Sequence, residues 1–223
     1  MSLSHLQNMK LLIFDFDGTI ADTSEGIIDS HRFALRSMNV EMKTDEKLRS
    51  LIGGNLLKTY TDNFGFSEAD ARTAVKIYRE RYGQIGIHKA VIYPGFADLL
   101  RCLKENGYQI AVATLKAERF VRIMLEEMHI RPYFDAICGM NHDDSLDKAG
   151  LIMKCIKLCD CKCQNTVMIG DSENDWIGAN AANVSFIGVT YGFGFSADGS
   201  YDFVTAGSTK EIGALLVRQT ACR

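Results

Sequence analysis

Hydrophobic residues in this chain come in two rhythms. Short unbroken runs, Leu11-Leu12-Ile13-Phe14 foremost, read as strands buried on both faces, the kind found inside a parallel sheet. Longer stretches repeat apolar residues at three- and four-residue intervals and read as amphipathic helices. The first strand covers residues 10–15. After it Ile27, Ile28, His31, Ala34, Leu35 and Met38 recur at helical spacing, with Thr23 or Ser24 as the N-cap. Helices are predicted over 24–38, 44–51, 55–63 and 67–82, with no strand among them. Asp17-Gly18 is a strong hairpin signal between alternating strands, but here a helix follows, so the reading is strand, acidic loop, helix.

A second regime begins after Tyr93-Pro94-Gly95. Phe96, Leu99, Leu100 and Leu103 line a helix that stops at Asn106-Gly107, a glycine placed for a C-terminal cap. Strands at 109–113, 136–138, 166–169 and 185–189 then alternate with helices at 118–128, 147–158 and 174–182. A weak strand near Phe203-Val204 precedes a helix opened by Ser208, with Glu211 completing a capping box. Alternation of this kind implies right-handed crossovers and a parallel sheet. The fold class is therefore α/β: a Rossmann-like parallel sheet core from residues 1–20 and 88–223, with residues 21–87 as an inserted helical cap domain. Such an insertion is placed to act as a lid over the strand ends.

Composition narrows the classes. The 223 residues, 47% hydrophobic and 24% charged, suffice for one good core and a modest insertion. With 25 basic against 28 acidic residues and a net charge of -3, no basic face is implied and nucleic acid is not an expected partner. No run approaches the ~18 apolar residues of a membrane span, the first eight residues lack the apolar core of a signal peptide, and the expected setting is the cytoplasm. Seven cysteines suit a reducing compartment. The spacing of Cys155, Cys159, Cys161 and Cys163 matches none of the usual zinc patterns. Cys155 and Cys159 fit instead the apolar face of a helix with Leu151, Ile152, Ile156 and Leu158.

The chemistry concentrates where the first strand ends. Asp15 and Asp17 stand one residue apart, and like charges that close require a cation or a hydrogen-bond network to hold them. Three further polar groups fall at corresponding strand exits: Thr114 after the strand at 109–113, Lys148 in the first turn of a helix, and Asp171 and Asp175 after the strand at 166–169. Open parallel sheets place their ligands at that carboxyl edge. Each signal alone has an ordinary structural explanation, for Asp171 or Asp175 a helix cap. Their order along the chain is what carries weight.

That order resembles the haloacid dehalogenase-like superfamily of hydrolases, and within it the phosphoglycolate phosphatase-like branch with a small helical cap. Asp15-Phe16-Asp17-Gly18-Thr19 looks like the first motif, Thr114 the second, Lys148 the third, and Gly170-Asp171 with Asp175 the fourth. The resemblance implies a Mg²⁺-dependent phosphatase acting on a small phosphomonoester through an aspartyl-phosphate. Asp15 would be the nucleophile and Asp17 the general acid and base. Mg²⁺ would be held by Asp15, the backbone carbonyl of Asp17 and Asp171, with Asp175 in the same acidic set orienting its neighbours. Thr114, Lys148 and the amides of Phe16, Asp17 and Gly18 would bind the phosphoryl oxygens, and Thr19 would steady Asp17. Two departures stand out: Leu115 follows Thr114 where asparagine is frequent, and Ala149-Gly150 follows Lys148 where proline is frequent. Lys154 is the rival for the third motif, whereas Lys116 lies too close to Thr114 to supply it. A sugar-phosphate mutase of the β-phosphoglucomutase type remains the alternative. A receiver-type phosphoacceptor groups similar residues but lacks a helical insertion. Gly53-Gly54-Asn55 is either a substrate-facing loop or an ordinary turn between helices.

Overall fold

In the computed structural model, which describes residues 3–41, 43–141 and 146–217, the chain divides into two compact units: Met1–Ala21 with Ile92–Arg223, and Asp22–Val91. A single helical turn, α1 (Leu3–Leu6), leads into β1 (Leu11–Phe14). The four residues of β1 are fully buried, as an unbroken apolar run predicts. β2 (Ala21–Asp22) follows and pairs with a later short strand. The helical unit then comprises α2 (Ser24–Ser37), α3 (Asp45–Arg49), α4 (Leu56–Phe64) and α5 (Glu68–Gln84).

Side-chain caps set the starts of three of these helices. Thr44, Asn55 and Ser67 each accept an amide hydrogen bond three residues on, from Lys47, Lys58 and Asp70. Thr23 takes the N-cap position of α2 but makes no capping bond; the Asp22 carboxylate accepts the Ser24 N–H at 2.9 Å in its place. Apolar faces converge on Leu35, Leu48, Tyr60, Ala71, Ala74 and Tyr82. His31 is buried among them, its Nδ1 3.1 Å from the Tyr60 hydroxyl and its ring against Tyr78 with centroids 4.6 Å apart. Burial pushes its pKa down to about 4. Gly53 takes a positive φ of 83° and Asn55 caps α4, as a turn between helices requires.

The larger unit resumes with β3 (Val91–Ile92), the partner of β2, and α6 (Phe96–Glu105). β4 (Gln109–Ala117), α7 (Glu118–Glu127), β5 (Ala136–Met140), α8 (Lys148–Leu158), β6 (Thr166–Gly170), α9 (Glu173–Ala181), β7 (Ser185–Val189), β8 (Val204–Ala206) and α10 (Thr209–Leu216) complete it. Six strands form one parallel sheet in the order β5-β4-β1-β6-β7-β8. One face packs Leu11 and Ile13 of β1 with Leu151, Ile152 and Cys155 of α8 and Ala179 of α9. On the other, Phe14 meets Phe96 of α6 edge-on with ring centroids 5.3 Å apart.

Two local departures from the expected pattern occur in the larger unit. The strand expected to stop at Ala113 continues to Ala117, with a register shift against β5 between those two residues. The polar residues Thr114 and Lys116 interrupt the apolar run there without ending the strand. Leu158, expected on the buried face of its helix, is 61% exposed, while Cys155 and Cys159 are buried and Cys155 Sγ donates to the Val112 carbonyl at 3.2 Å.

The sheet order fixes where a ligand can sit. From β1 the chain builds β4 and β5 on one side, then crosses to β6, β7 and β8 on the other. The carboxyl end of β1 is thus the switch point, with Phe14 in register with Val112 on one flank and Ile169 on the other.

Candidate active site

At that switch point β1 ends and Asp15 begins, its N–H still donating to the Ile169 carbonyl at 2.9 Å. The backbone then curls tightly: the Phe16 carbonyl accepts from the amides of Thr19, Ile20 and Ala21 at 3.3, 3.0 and 3.2 Å. Gly18 makes the curl possible with a φ of 80°, and a methyl group on it would run into the Asp171 carboxylate. Its own N–H donates to the Ala21 carbonyl at 2.9 Å. That corrects one expectation, since a Gly18 amide committed to its own turn is not available to a phosphate; the Phe16 amide stays a candidate. Thr19 is fully buried and its hydroxyl has no hydrogen-bond partner, so it does not hold Asp17 by a side-chain hydrogen bond.

Lys148, the first residue of α8, reaches across the buried end of the sheet. Its ammonium lies 2.7 Å from Asp15 Oδ1, 2.7 Å from Asp175 Oδ1 and 3.0 Å from the Ala113 carbonyl. Burial opposes the charged ammonium, but the carboxylates of Asp15 and Asp175 outweigh it and raise its pKa above the ordinary lysine value. Lys154, the rival, is half exposed and 3.5 Å from Glu118 Oε2, outside this cluster. Thr114 is buried at the exit of β4, its hydroxyl accepting the Lys116 N–H at 3.3 Å.

On the other flank, β6 delivers Asp171 and the start of α9 delivers Asp175. Asp175 closes a capping box: its Oδ2 accepts the Ser172 N–H at 3.1 Å and the Ser172 hydroxyl at 2.7 Å. Its other oxygen, Oδ1, makes an ion-pair contact with Lys148 but no hydrogen bond. Asp171 Oδ2 accepts the Phe193 N–H at 2.7 Å, and its carbonyl accepts the Phe195 N–H at 2.8 Å. The same loop ties back to the first turn, where the Tyr191 hydroxyl donates to the Thr19 carbonyl at 2.9 Å.

The carboxylates of Asp15, Asp171 and Asp175 each bring an oxygen within 4.8 Å of the others, all buried. Burial pushes the Asp15 pKa up to about 7, with Lys148 opposing and the charges of Asp175 and Asp17 reinforcing. Burial, then Asp175 and Asp15, raise Asp171 well above the ordinary carboxylate value. Among the described residues, the buried ammonium groups that pair with the four carboxylates of Asp15, Asp17, Asp171 and Asp175 are Lys116 and Lys148, a formal excess of two negative charges. A compact all-oxygen donor set with that excess fits a hard divalent cation such as Mg²⁺.

Two features of the site escaped the sequence pattern. Lys116, set aside for its nearness to Thr114, places its ammonium 2.8 and 3.0 Å from the two oxygens of Asp17. The loop Tyr191-Gly192-Phe193 holds Asp171 by its backbone. Its one sequence signal is position, immediately beyond the carboxyl end of the strand at 185–189.

Comparison with known proteins points the same way. A family model described as haloacid dehalogenase-like hydrolase matches residues 12–189. A curated 5'-nucleotidase of Pseudomonas aeruginosa is 35% identical over 82% of this chain and 83% of its own length. Phosphoglycolate phosphatase 1 of the same organism is 32% identical over 82% of this chain and 70% of its own length. Among solved structures, one described as a predicted phosphatase from Clostridium acetobutylicum superposes with a TM-score of 0.87 at 32% identity, covering 92% of this chain and 97% of that one.

Proposed function

The chain belongs to the haloacid dehalogenase-like hydrolases, and on that premise we propose that it is a Mg²⁺-dependent phosphatase of small phosphomonoesters, working through an aspartyl-phosphate on Asp15. The observation that carries this reading is the buried Asp15 at the switch point, one oxygen held by Lys148 at 2.7 Å and Asp171 beside it. Relatives bearing the names 5'-nucleotidase and phosphoglycolate phosphatase favour hydrolysis over the mutase alternative and suggest a nucleoside monophosphate or a phosphoglycolate-like ester as substrate.

In the first step a carboxylate oxygen of Asp15 attacks phosphorus. The bond to the leaving oxygen breaks, and Asp17 supplies the proton that oxygen takes. In the second step water attacks the aspartyl-phosphate, Asp17 accepts its proton, and the bond between Asp15 and phosphorus breaks to release inorganic phosphate. Charge on the transferring phosphoryl group spreads over three oxygens. Lys148 would answer it with a fixed cation, and the Thr114 hydroxyl and Phe16 amide would donate hydrogen bonds. Asp15, Asp171 and the Asp17 backbone carbonyl would hold Mg²⁺, while Asp175, ion-paired to Lys148 through one oxygen and hydrogen-bonded to Ser172 through the other, would keep Lys148 and the start of α9 in place. When bound, the cation neutralises phosphoryl charge and aligns the ester for in-line attack.

The six described cysteines are free thiols, in keeping with a cytoplasmic setting. Among the described residues no helix is long and apolar enough to cross a membrane.

The test is phosphate release from a panel of phosphoglycolate, nucleoside monophosphates and sugar phosphates, with and without Mg²⁺. Metal-dependent turnover that vanishes in Asp15→Asn is expected. Undiminished turnover by Asp15→Asn would remove Asp15 as the nucleophile.

A further inference from the structure

Asp17 is held by a residue that the first-motif chemistry does not include. β4 pairs with β5 at Ala113 and again at Ala117 with a shift in register between them. The irregular segment puts Lys116 at the carboxyl edge, beside the exit of β1. Its ammonium contacts both oxygens of Asp17, at 2.8 and 3.0 Å, and the two side chains are 6% and 8% exposed. An exposed ion pair of this kind would mean little, because solvent competes for both partners. Here both groups are withdrawn from water, and a two-oxygen contact restricts how the carboxylate can turn.

We propose that Lys116 is a positioning residue for Asp17, holding the acid/base carboxylate in the orientation from which it serves the leaving oxygen. This rests on the phosphatase reading above. The reasoning is geometric. Asp17 is placed by a tight turn, one residue from the Asp15 carboxylate that repels it. Lys148 is committed to Asp15, Asp175 and the Ala113 carbonyl, so it does not serve Asp17. Lys116 supplies Asp17 with a cation of its own, in contact with both carboxylate oxygens. An acid displaced by an ångström loses much of its value, because proton transfer requires hydrogen-bond reach.

The consequence is selective. Esters of good leaving groups, such as p-nitrophenyl phosphate, depart without help from an acid, whereas alkyl phosphates such as glycerol 3-phosphate need the proton. A residue that positions Asp17 should therefore matter for the second kind and much less for the first. A residue that binds the phosphate, or merely supports the fold, should matter equally for both.

The experiment is a leaving-group series from aryl to alkyl phosphates, run with wild type, Asp17→Asn, Lys116→Met and Lys116→Arg at saturating Mg²⁺. Asp17→Asn is expected to lose about 10²–10⁴-fold in kcat/KM on alkyl esters and far less on aryl esters. Lys116→Met should show the same selectivity in weaker form, at least roughly tenfold greater loss of kcat/KM on alkyl than on aryl esters, since kcat/KM reports departure of the leaving group and not hydrolysis of the shared aspartyl-phosphate. Lys116→Arg should restore much of the alkyl activity. Should Lys116→Met fold poorly, Lys116→Gln is read by the same ratio, which does not depend on the amount of active protein. Equal losses across the series in the Lys116 variants, with Asp17→Asn selective, would overturn the positioning role and leave the acid role of Asp17 standing. An Asp17→Asn variant with no selectivity would overturn the acid role and this proposal with it.

Discussion

The loop that holds Asp171 can be loosened without touching any carboxylate. Gly192 lies so close to the site that a methyl group on it would overlap the Asp171 side chain and the Gly18 carbonyl. Gly192→Ala must therefore push the 191–195 segment away from Asp171, stretching the 2.7 Å bond from the Phe193 N–H to Asp171 Oδ2. A hydrogen bond to a charged group contributes about 1.5–3 kcal/mol. If Asp171 is a ligand of Mg²⁺, losing the bond that orients it should weaken the cation by about 10–100-fold. Isothermal titration of Mg²⁺ into substrate-free protein reads this directly, with urea unfolding to show that the variant is folded. Turnover at saturating Mg²⁺ should stay within a few-fold of wild type, since neither the nucleophile nor the acid is altered. A folded Gly192→Ala protein that binds Mg²⁺ within about twofold of wild type would refute the reasoning, because the outer partners of a metal ligand are expected to cost more than that.

Two further predictions concern the helical unit and the lysine at the switch point. His31 has its pKa lowered by burial from 6.5 to about 4, so between those values the unfolded chain binds the extra proton, and stability is lost as pH falls through that window. By linkage the loss from pH 7 to pH 5 is about 2 kcal/mol; urea unfolding of His31→Phe should show a pH dependence shallower by that amount, and an unchanged slope would mean that His31 is not responsible. Lys148→Ala should lower turnover of p-nitrophenyl phosphate by at least ~10²-fold, the usual loss on removing a preorganised electrostatic donor. Lys148→Arg should not rescue it, because a planar guanidinium cannot sit as a point charge between Asp15, Asp175 and the Ala113 carbonyl; near-wild-type turnover in either variant would transfer the role to another lysine.

Local pattern alone determined much of this protein. An apolar run such as Leu11–Phe14 is buried wherever it goes, helical spacing after Ser24 leaves little choice of element, and a strand that ends in Asp15 and Asp17 announces charge chemistry at a sheet edge. Position at the strand exits singled out Thr114, Lys148, Asp171 and Asp175, and family resemblance gave them roles; the side chains of Lys148, Asp171 and Asp175 meet Asp15 at one end of the sheet. What tertiary structure alone decided are contacts between residues far apart in the chain. Lys116 meets Asp17 because β4 runs on to Ala117, past Val112, the last of its residues in register with β1, and no periodicity encodes how far a strand continues. The loop after β7 reaches Asp171 through a backbone N–H, a donor that every residue but proline possesses and that composition cannot flag. Gly18 illustrates the same division: its glycine is legible as a tight turn, but the commitment of its amide to the Ala21 carbonyl appears only when the turn is closed in space. Side-chain type records which chemistry is possible, while the pairing of donors with acceptors depends on where the sheet order and the returning loops place them.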